Sequence, residues 1–428
     1  MQHDAMPTRA KAGAAPVAVA AWVLYDWAYG AFTTVVSTFV FPTYFTQAVA
    51  ADPVTGAAQW AGTQAGAGLL IALLAVPLGA VADRGGRRRG MLATATLLMI
   101  AATLALWSVR PHHGDTVRAL ALVLIATVAF EVATVFYNAM LPGLVSPRRL
   151  GRLSMLGWGA GYVGGLCALM LCLAVLVRPD PPLFGLARAA AEPVRACALL
   201  AGAWLLAFAW PAAVFVPEAT APAPWRVAVR EGIAELGAVL RQAVGVPALR
   251  RFLLARLFYM DGLTTLFAFG GIYAAGQFGL DARGVLLFGI GLNVTAGLGA
   301  LGFAAVEDRI GAKAVVMTAV LAMAGLGVAL LLTHDRTLFW GLGLALGLFV
   351  GPAQAASRSL MARMAPGEQR AAYFGLFALS GRVTGFLGPA ALSLATAAFQ
   401  SQRAGMAVIV VLLAAGAATL ARVPSPRA

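Results

Sequence analysis

The chain reads as an all-α integral membrane protein with twelve spans in two six-helix bundles related by pseudo-twofold symmetry. Three observations predict that class. First, 61% of its 428 residues are hydrophobic and only 11% are charged, with a mean hydropathy of +0.84; a soluble domain carries about a quarter charged residues. Second, the apolar residues fall in runs of about 20, the length a helix needs to cross a bilayer. Third, landmarks of the first half return in the second. "DRGGRR" (83–88) recurs as "DRIGAK" (308–313), offset by 225 residues, and Asp26 has a counterpart in Asp261.

Bounded by Arg, Pro or Gly clusters, the spans of the first half are helix one at 17–46, two at 60–82, three at 90–109, four at 117–141, five at 153–177 and six at 194–216. Those of the second half are helix seven at 249–278, eight at 283–306, nine at 312–333, ten at 337–361, eleven at 371–398 and twelve at 403–421. The N-terminus is basic and then apolar, like a signal peptide. Its apolar run is about twice the usual core and contains Asp26, so it reads as an uncleaved first span. After helix six, "PEATAPAPW" is a proline-rich exit. Val229, Ile233, Leu236, Leu240 and Val244 then recur at helical spacing opposite Arg226, Arg230, Glu231 and Arg241. That pattern predicts an amphipathic helix on the membrane surface, joining the halves. The domains expected are therefore 1–216, the linker 217–248, and 249–428.

A net charge of +14 suggests nucleic acid, but the basic residues flank the apolar spans. With the N-terminus inside, 20 of the 31 Lys and Arg fall in cytoplasmic segments, eight outside, and Arg256, Arg358 and Arg382 within spans. The bias places both termini in the cytoplasm, in an inner (cytoplasmic) cell membrane, with no nucleic-acid partner. Cys167, Cys172 and Cys197 lie in or beside spans and show neither disulfide nor zinc spacing. "GAGYVG" (159–164) fits a dinucleotide fingerprint, but no strand precedes it. Gly157, Gly161 and Gly165 instead form a small-residue ridge for close helix packing.

A carboxylate at mid-bilayer costs several kcal/mol unless it is paired, protonated or facing water. On helix one, Asp26, Tyr29, Thr33, Ser37 and Tyr44 share a face, either as a cavity wall or as helix-to-helix hydrogen bonds. Helix four presents Glu131, Thr134 and Asn138 together; helix seven has Asp261 with Thr264 and Thr265; helix ten has Gln354 and Arg358 one turn apart. Arg382, near mid-depth on helix eleven, either pairs with a carboxylate or receives an anionic substrate group. Arg256 lies near the cytoplasmic end and is expected to snorkel.

Two parallel six-helix repeats with a central linker imply the major facilitator architecture, in which helices one, four, seven and ten line the central cavity. The two Asp-Arg-x-Gly-x-basic loops resemble that superfamily's latch between the halves. Glycine allows the tight turn, and aspartate can sit against a helix N-terminus. The resemblance assigns Asp83, Arg84, Gly86 and Arg87, with Asp308, Arg309, Gly311 and Lys313, to conformational roles. Helix five has Ala160-Gly161-Tyr162-Val163-Gly164-Gly165 where superfamily antiporters often have Gly-Pro-x-x-Gly-Gly, so the direction of coupling stays open.

Four segments resemble one branch of the superfamily, the vacuole-effluxer-like (unidentified major facilitator) family: "LYDWAYGAFTTVVSTFVFPTYF" (24–45), "FYNAMLPGLVSPRRLGRLSMLGWGAGYVGG" (136–165), "FLLARLFYMDGLTTLFAFGGIYAAGQFG" (252–279) and "QAASRSLMARMAPGEQRAAYFGLFALSGRVTGFLGP" (354–389). The family's usual opening is Tyr-Asp-Trp-Ala-Asn-Ser-Ala-Phe/Tyr; here Tyr29 and Gly30 replace Asn-Ser. The family's arginines in "SRSL" and in the helix-eleven motif correspond to Arg358 and Arg382. Fungal members are associated with amino-acid export from the vacuole, so the resemblance implies a small zwitterionic substrate.

The function expected is secondary active transport of a small solute by alternating access, by a monomer without cofactor or catalytic residue. It would be proton-coupled, because a desolvated carboxylate can load and release a proton. Asp26, Glu131 and Asp261 are the proton candidates. Tyr25, Trp27, Tyr29, Thr33, Asn138, Gln354, Arg358 and Arg382 are the substrate candidates. An amphipathic or lipid-like cargo is the alternative. An enzyme is disfavoured, since His112, His113 and His334 fall in external loops and His3 in the N-tail. A sensor on this fold would be expected to carry an added soluble domain.

Overall fold

A computed structural model describes residues 15–218, 224–280, 282–381, 385 and 387–424. Helix one opens as Pro16–Ala31 and continues through π-helical turns at Phe32–Phe39 and Phe45–Val49 flanking Val40–Tyr44. Helices two to six are Pro53–Gly85, Arg88–Ala105, Thr116–Met140, Leu150–Leu171 (with π-helical turns at Cys172–Val177) and Glu192–Phe215. After the linker helix Trp225–Gly245, helices seven to ten are Pro247–Phe278, Ala282–Ile310, Ala312–Leu332 and Arg336–Met364. Helix eleven comprises Arg370–Ser380 and Leu387–Phe399, and helix twelve is Gln402–Ala421. Helices two, eight and ten outrun their apolar windows, because charges such as Asp83, Asp308 and Arg363 still sit on helical turns beyond the hydrocarbon stretch.

Local chemistry sets several starts. Asp335 accepts the Leu338 amide at 2.7 Å to cap helix ten, and the Ser401 hydroxyl caps helix twelve. Both latch loops turn through glycine at positive φ, Gly86 (57°) and Gly311 (86°), where a Cβ would be strained. The glycine ridge of helix five lies against helix one. A Cβ on Gly164 would stand 2.3 Å from the Trp27 carbonyl oxygen, and one on Gly30 would stand 2.1 Å from that of Gly161. These backbones pack directly on each other, as membrane helices do when small residues meet.

The two bundles meet at the end that carries the linker helix and the last turn of helix twelve. There helices two and eleven cross through reciprocal glycines: a Cβ on Gly79 would meet the Ala371 carbonyl oxygen at 2.4 Å, and one on Gly375 would meet that of Ala75 at 2.6 Å. Across the pseudo-twofold, helix five meets helix eight, where Gly151 abuts the Glu307 carboxylate and Gly159 abuts Leu301. This end is closed.

The linker helix leaves exposed the apolar stripe expected to face a membrane surface, and packs on the protein through a separate sector of small residues. Ala228 and Val239 are fully buried, and Gly232 packs against the backbone of Val81 on helix two. Ile233, Leu240 and Val244 are exposed instead. Small residues let the helix sit close to helix two, and the larger apolar side chains point elsewhere. Tyr373 on helix eleven donates to Gln242 Oε1 at 2.8 Å, so the linker helix touches both halves.

Candidate functional site

Between the bundles lies a cavity of about 1290 Å³. Its floor carries Tyr29, Asn138, Trp158, Tyr162, Gln354 and Arg358, and it reaches Thr43, Gln64 and Leu280 near the end opposite the linker. The wall from the first half is rich in hydroxyls: Thr33, Thr34, Ser37 and Thr38 from the π-helical part of helix one, and Thr127 and Thr134 from helix four. Thr33 and Thr34 both donate to the Gly30 carbonyl, which the wider π winding leaves accessible. The second half supplies a mostly apolar wall, including Met260, Leu263, Phe267, Phe288, Leu292 and Leu346.

Under the floor sits an ion pair. Asp26 is fully buried and Arg358 is 2% exposed. Arg358 Nη1 stands 3.1 Å from Asp26 Oδ2, joining helix one of the first half to helix ten of the second. The pair is enclosed by hydrogen bonds. Tyr137 donates to Asp26 Oδ2 at 2.7 Å. Arg358 Nε donates to Ser154 Oγ at 2.9 Å, and its Nη2 donates to the Ser154 carbonyl. Trp22 stacks on Tyr137 with centroids 4.4 Å apart and donates to the Tyr137 carbonyl at 3.0 Å. The guanidinium lies 4.8 Å from the Trp22 ring centroid. Helices one, four, five and ten are thus pinned at one point.

Helix one does not present its polar residues as one continuous cavity wall. Tyr29, Thr33 and Ser37 reach the cavity, whereas Asp26 lies beneath the floor and Tyr44 donates to the Val109 carbonyl at 2.9 Å. The π-helical turns shift the register of successive side chains, which a uniform 100° wheel does not capture. Tyr25 is buried with its hydroxyl 2.7 Å from Thr96 Oγ1. Trp27 stacks on Trp204 of helix six with centroids 5.6 Å apart. Neither lines the cavity. Glu131 and Thr134 do, along with Asn138 and Gln354.

Asp261 also turns away from the cavity. It is 3% exposed and its Oδ2 accepts the Gly388 amide of helix eleven at 2.9 Å. Arg256 does not snorkel. It is 8% exposed and points inward, donating to the Phe377 carbonyl and to Ser380 Oγ, with its guanidinium 3.5 Å from the Phe377 ring centroid. Helix eleven offers it a carbonyl, a hydroxyl and an aromatic face at the depth where water would otherwise be needed. Arg382 lies outside the described residues.

At the closed end, Asp83 accepts the amides of Ala371 and Ala372, both at 3.0 Å, on the first turn of helix eleven. Its basic partner is Arg88, 2.6 Å away; Arg84 and Arg87 are exposed. In the second half, Asp308 accepts the Arg152 amide at 3.2 Å on the first turn of helix five. Each aspartate thus meets the positive end of a helix in the other bundle. Arg309 is exposed, and Lys313 donates to the Ala421 carbonyl at 3.2 Å within its own half. Glu307, one residue before Asp308, is fully buried against Ser359, with Arg363 at 3.6 Å.

Sequence reasoning passed over Trp22, Tyr137, Ser154 and Glu307, and it gave the latch role to Arg87 although Arg88 is the basic position of the Asp-Arg-x-Gly-x-basic motif. Tyr137 and Ser154 lie inside the segments that resemble the family, which was the available signal. Glu307 directly precedes the latch motif and was hidden by it. Two floor atoms lack a hydrogen-bond partner among the described residues, Asn138 Oδ1 and Trp158 Nε1. Both atoms are buried behind the cavity surface, so an acceptor and a donor are left unsatisfied at the floor. Among the described residues no group of three or more His, Cys, Asp or Glu is placed to hold a metal.

Known proteins share this frame. The family model for the vacuole effluxer Atg22-like proteins matches residues 63–150 and 148–428. An uncharacterized MFS-type transporter of Bacillus subtilis, YxiO, is 26% identical over 408 residues, covering 94% of each chain. Autophagy-related protein 22 of Cryptococcus neoformans is 25% identical over 300 residues, which are 64% of this chain and 51% of the fungal one, so the chain spans about half of that relative. The crystal structure of the major facilitator superfamily transporter FucP in the outward conformation superposes with a TM-score of 0.74 at 13% identity, over 96% of this chain and 99% of that one. The twelve-span fold in two bundles is therefore that of the major facilitator superfamily, and the chain belongs to its vacuole effluxer Atg22-like family.

Proposed function

We propose that the protein is a secondary transporter that moves a small solute by alternating access and couples the movement to protons. The observation that carries this reading is the Asp26–Arg358 pair. It bridges the two halves at the closed end, and its guanidinium forms part of the floor of a cavity open to the other end. Opening the closed end pulls the two charges apart, and an uncompensated charge in a dry interior is costly. A proton on Asp26 and an anionic group on Arg358 would together remove that cost, one for each charge. With Arg358 at the floor and Glu131 on the wall, an amino acid or related zwitterion fits the charges available. The positive-inside bias supports an inner-membrane protein with cytoplasmic termini, and so a cavity that faces outward. The effluxer-like relatives support export as the direction.

The test is transport in proteoliposomes under an imposed pH gradient. Asp26→Asn and Glu131→Gln are expected to lose gradient-driven flux, and Asp26→Asn, whose carboxylate lies beneath the floor, to still bind solute. Full flux in both variants overturns the proton assignment.

The apolar wall of the second half favours a second reading, a cargo with a polar head and an apolar body. Thermal-shift screening with amino acids and with amphipathic compounds separates the two. Stabilisation by the second class alone overturns the zwitterion assignment.

A further inference from the structure

The linker helix has three distinct faces, and the protein covers only one of them. At about 100° per residue, Ala228, Gly232 and Val239 form one sector, and all three are buried against the protein. Turning on by about 100° brings a second sector of Trp225, Ile233, Leu240 and Val244, exposed by 52, 58, 44 and 65%. Arg226, Arg230 and Arg241 continue round from there and are exposed, while Glu231 lies on the far side of the helix, away from the apolar sector. An apolar stripe bordered by arginines, at right angles to a protein-facing stripe, fits a helix laid along a bilayer surface beside the spans. Its large side chains enter the acyl boundary and its guanidinium groups meet lipid phosphates. Neutral headgroups offer phosphate beside a positive amine, whereas anionic headgroups offer uncompensated negative charge. Three arginines along one edge select the second.

The helix is also joined to the closing machinery. Gly232 rests on Val81, two residues before Asp83, and Ala228 approaches Gly85 just after it. Gln242 accepts from Tyr373, one residue beyond the Ala371 and Ala372 amides that Asp83 caps. A seat on the membrane therefore presses on both partners of the Asp83 latch at once.

We propose that the linker helix is a docking element for anionic phospholipids, and that its engagement straps this end of the transporter shut. The proposal does not depend on which solute is carried, or on which side of the membrane this end lies. The full chain is reconstituted in nanodiscs of phosphatidylcholine with phosphatidylglycerol, with one of the two lipids dibrominated in turn. The Trp225 signal is taken as the difference between the wild type and Trp225→Phe. Brominated phosphatidylglycerol is expected to quench that signal at least about twofold more than brominated phosphatidylcholine at equal mole fraction. The variant Arg226→Gln/Arg230→Gln/Arg241→Gln, altered only at exposed positions, is expected to equalise them. No quenching by either lipid overturns the surface seat, and equal quenching in the wild type overturns the selection for charge. The strap is read separately from maleimide labelling of Ala355→Cys, a fully buried position at the closed end, above the background of the wild-type cysteines. Phosphatidylglycerol should slow that labelling, and the triple variant should lose the slowing. Equal rates in discs with and without phosphatidylglycerol overturn the strap.

Discussion

Arg358 shows how much of this molecule depends on a single side chain. Its charge is compensated by Asp26, its Nε by Ser154 Oγ and its face by Trp22. Removing one member of a buried, hydrogen-bonded pair typically costs about 3–5 kcal/mol, because the other charge is left behind. Arg358→Gln and Asp26→Asn should therefore each lower the midpoint of thermal unfolding in detergent. The double variant should lose less than the two single losses combined, since it leaves no lone charge. Strict additivity would mean the two side chains do not act as a pair. Asp83 is different in kind, since its carboxylate holds two amides of helix eleven as well as Arg88. In Asp83→Ala the closed end should open more often, seen as faster maleimide labelling of Ala355→Cys. Unchanged labelling would reduce Asp83 to a local cap.

At the scale of helices, the sequence made the spans legible and the contacts between them only partly so. Span positions follow from hydropathy, which the bilayer imposes on every residue of a stretch alike. The latch aspartates were legible because Asp-Arg-x-Gly-x-basic is a local pattern, but the helix amides they accept lie in the other half of the chain. Arg88 wins over Arg84 and Arg87 because the turn through Gly86 brings it back onto Asp83. A uniform wheel puts the polar residues of helix one in one stripe, but the π-helical turns shift the register beyond Phe32 and carry Tyr44 off it, while Asp26, on the regular turns before them, sits below the cavity floor. Arg256 was expected to snorkel from its span because nothing in its own helix foretells Phe377 and Ser380 across the bundle. The glycine ridge was read correctly as a packing surface, and its geometry makes a sharp prediction. Gly164→Val forces side-chain atoms into the Trp27 carbonyl and should destabilise the first bundle by about 1–3 kcal/mol or more. Gly66→Ala meets open space and should change stability by no more than about 1 kcal/mol, in the stabilising direction. Equal effects on the unfolding midpoint would mean helices one and five are not in backbone contact.

For the whole molecule, the contacts that bridge the bundles gather at one end. Helix two meets eleven, helix five meets eight, Asp26 meets Arg358, and Ser154 donates to the Ala355 carbonyl at 2.7 Å. Toward the other end the bundles are parted by the cavity. For a solute to pass, these contacts must separate together while others form across the cavity mouth, since a path open at both ends would dissipate any gradient. Arg152 and Asp308 provide a handle on that motion. They are adjacent across the two bundles, both exposed, and joined by a single backbone-to-carboxylate bond. In Arg152→Cys/Asp308→Cys, a short methanethiosulfonate crosslinker should hold the bundles together at this end and abolish flux into proteoliposomes. Reductant should restore it, and neither single variant should respond to the reagent. Solute binding, followed by thermal shift, should survive the crosslink, because the cavity opens at the opposite end. A crosslinked protein that transports at the full rate would mean that these bundles do not part where the structure joins them, and rocking about this interface would have to be abandoned.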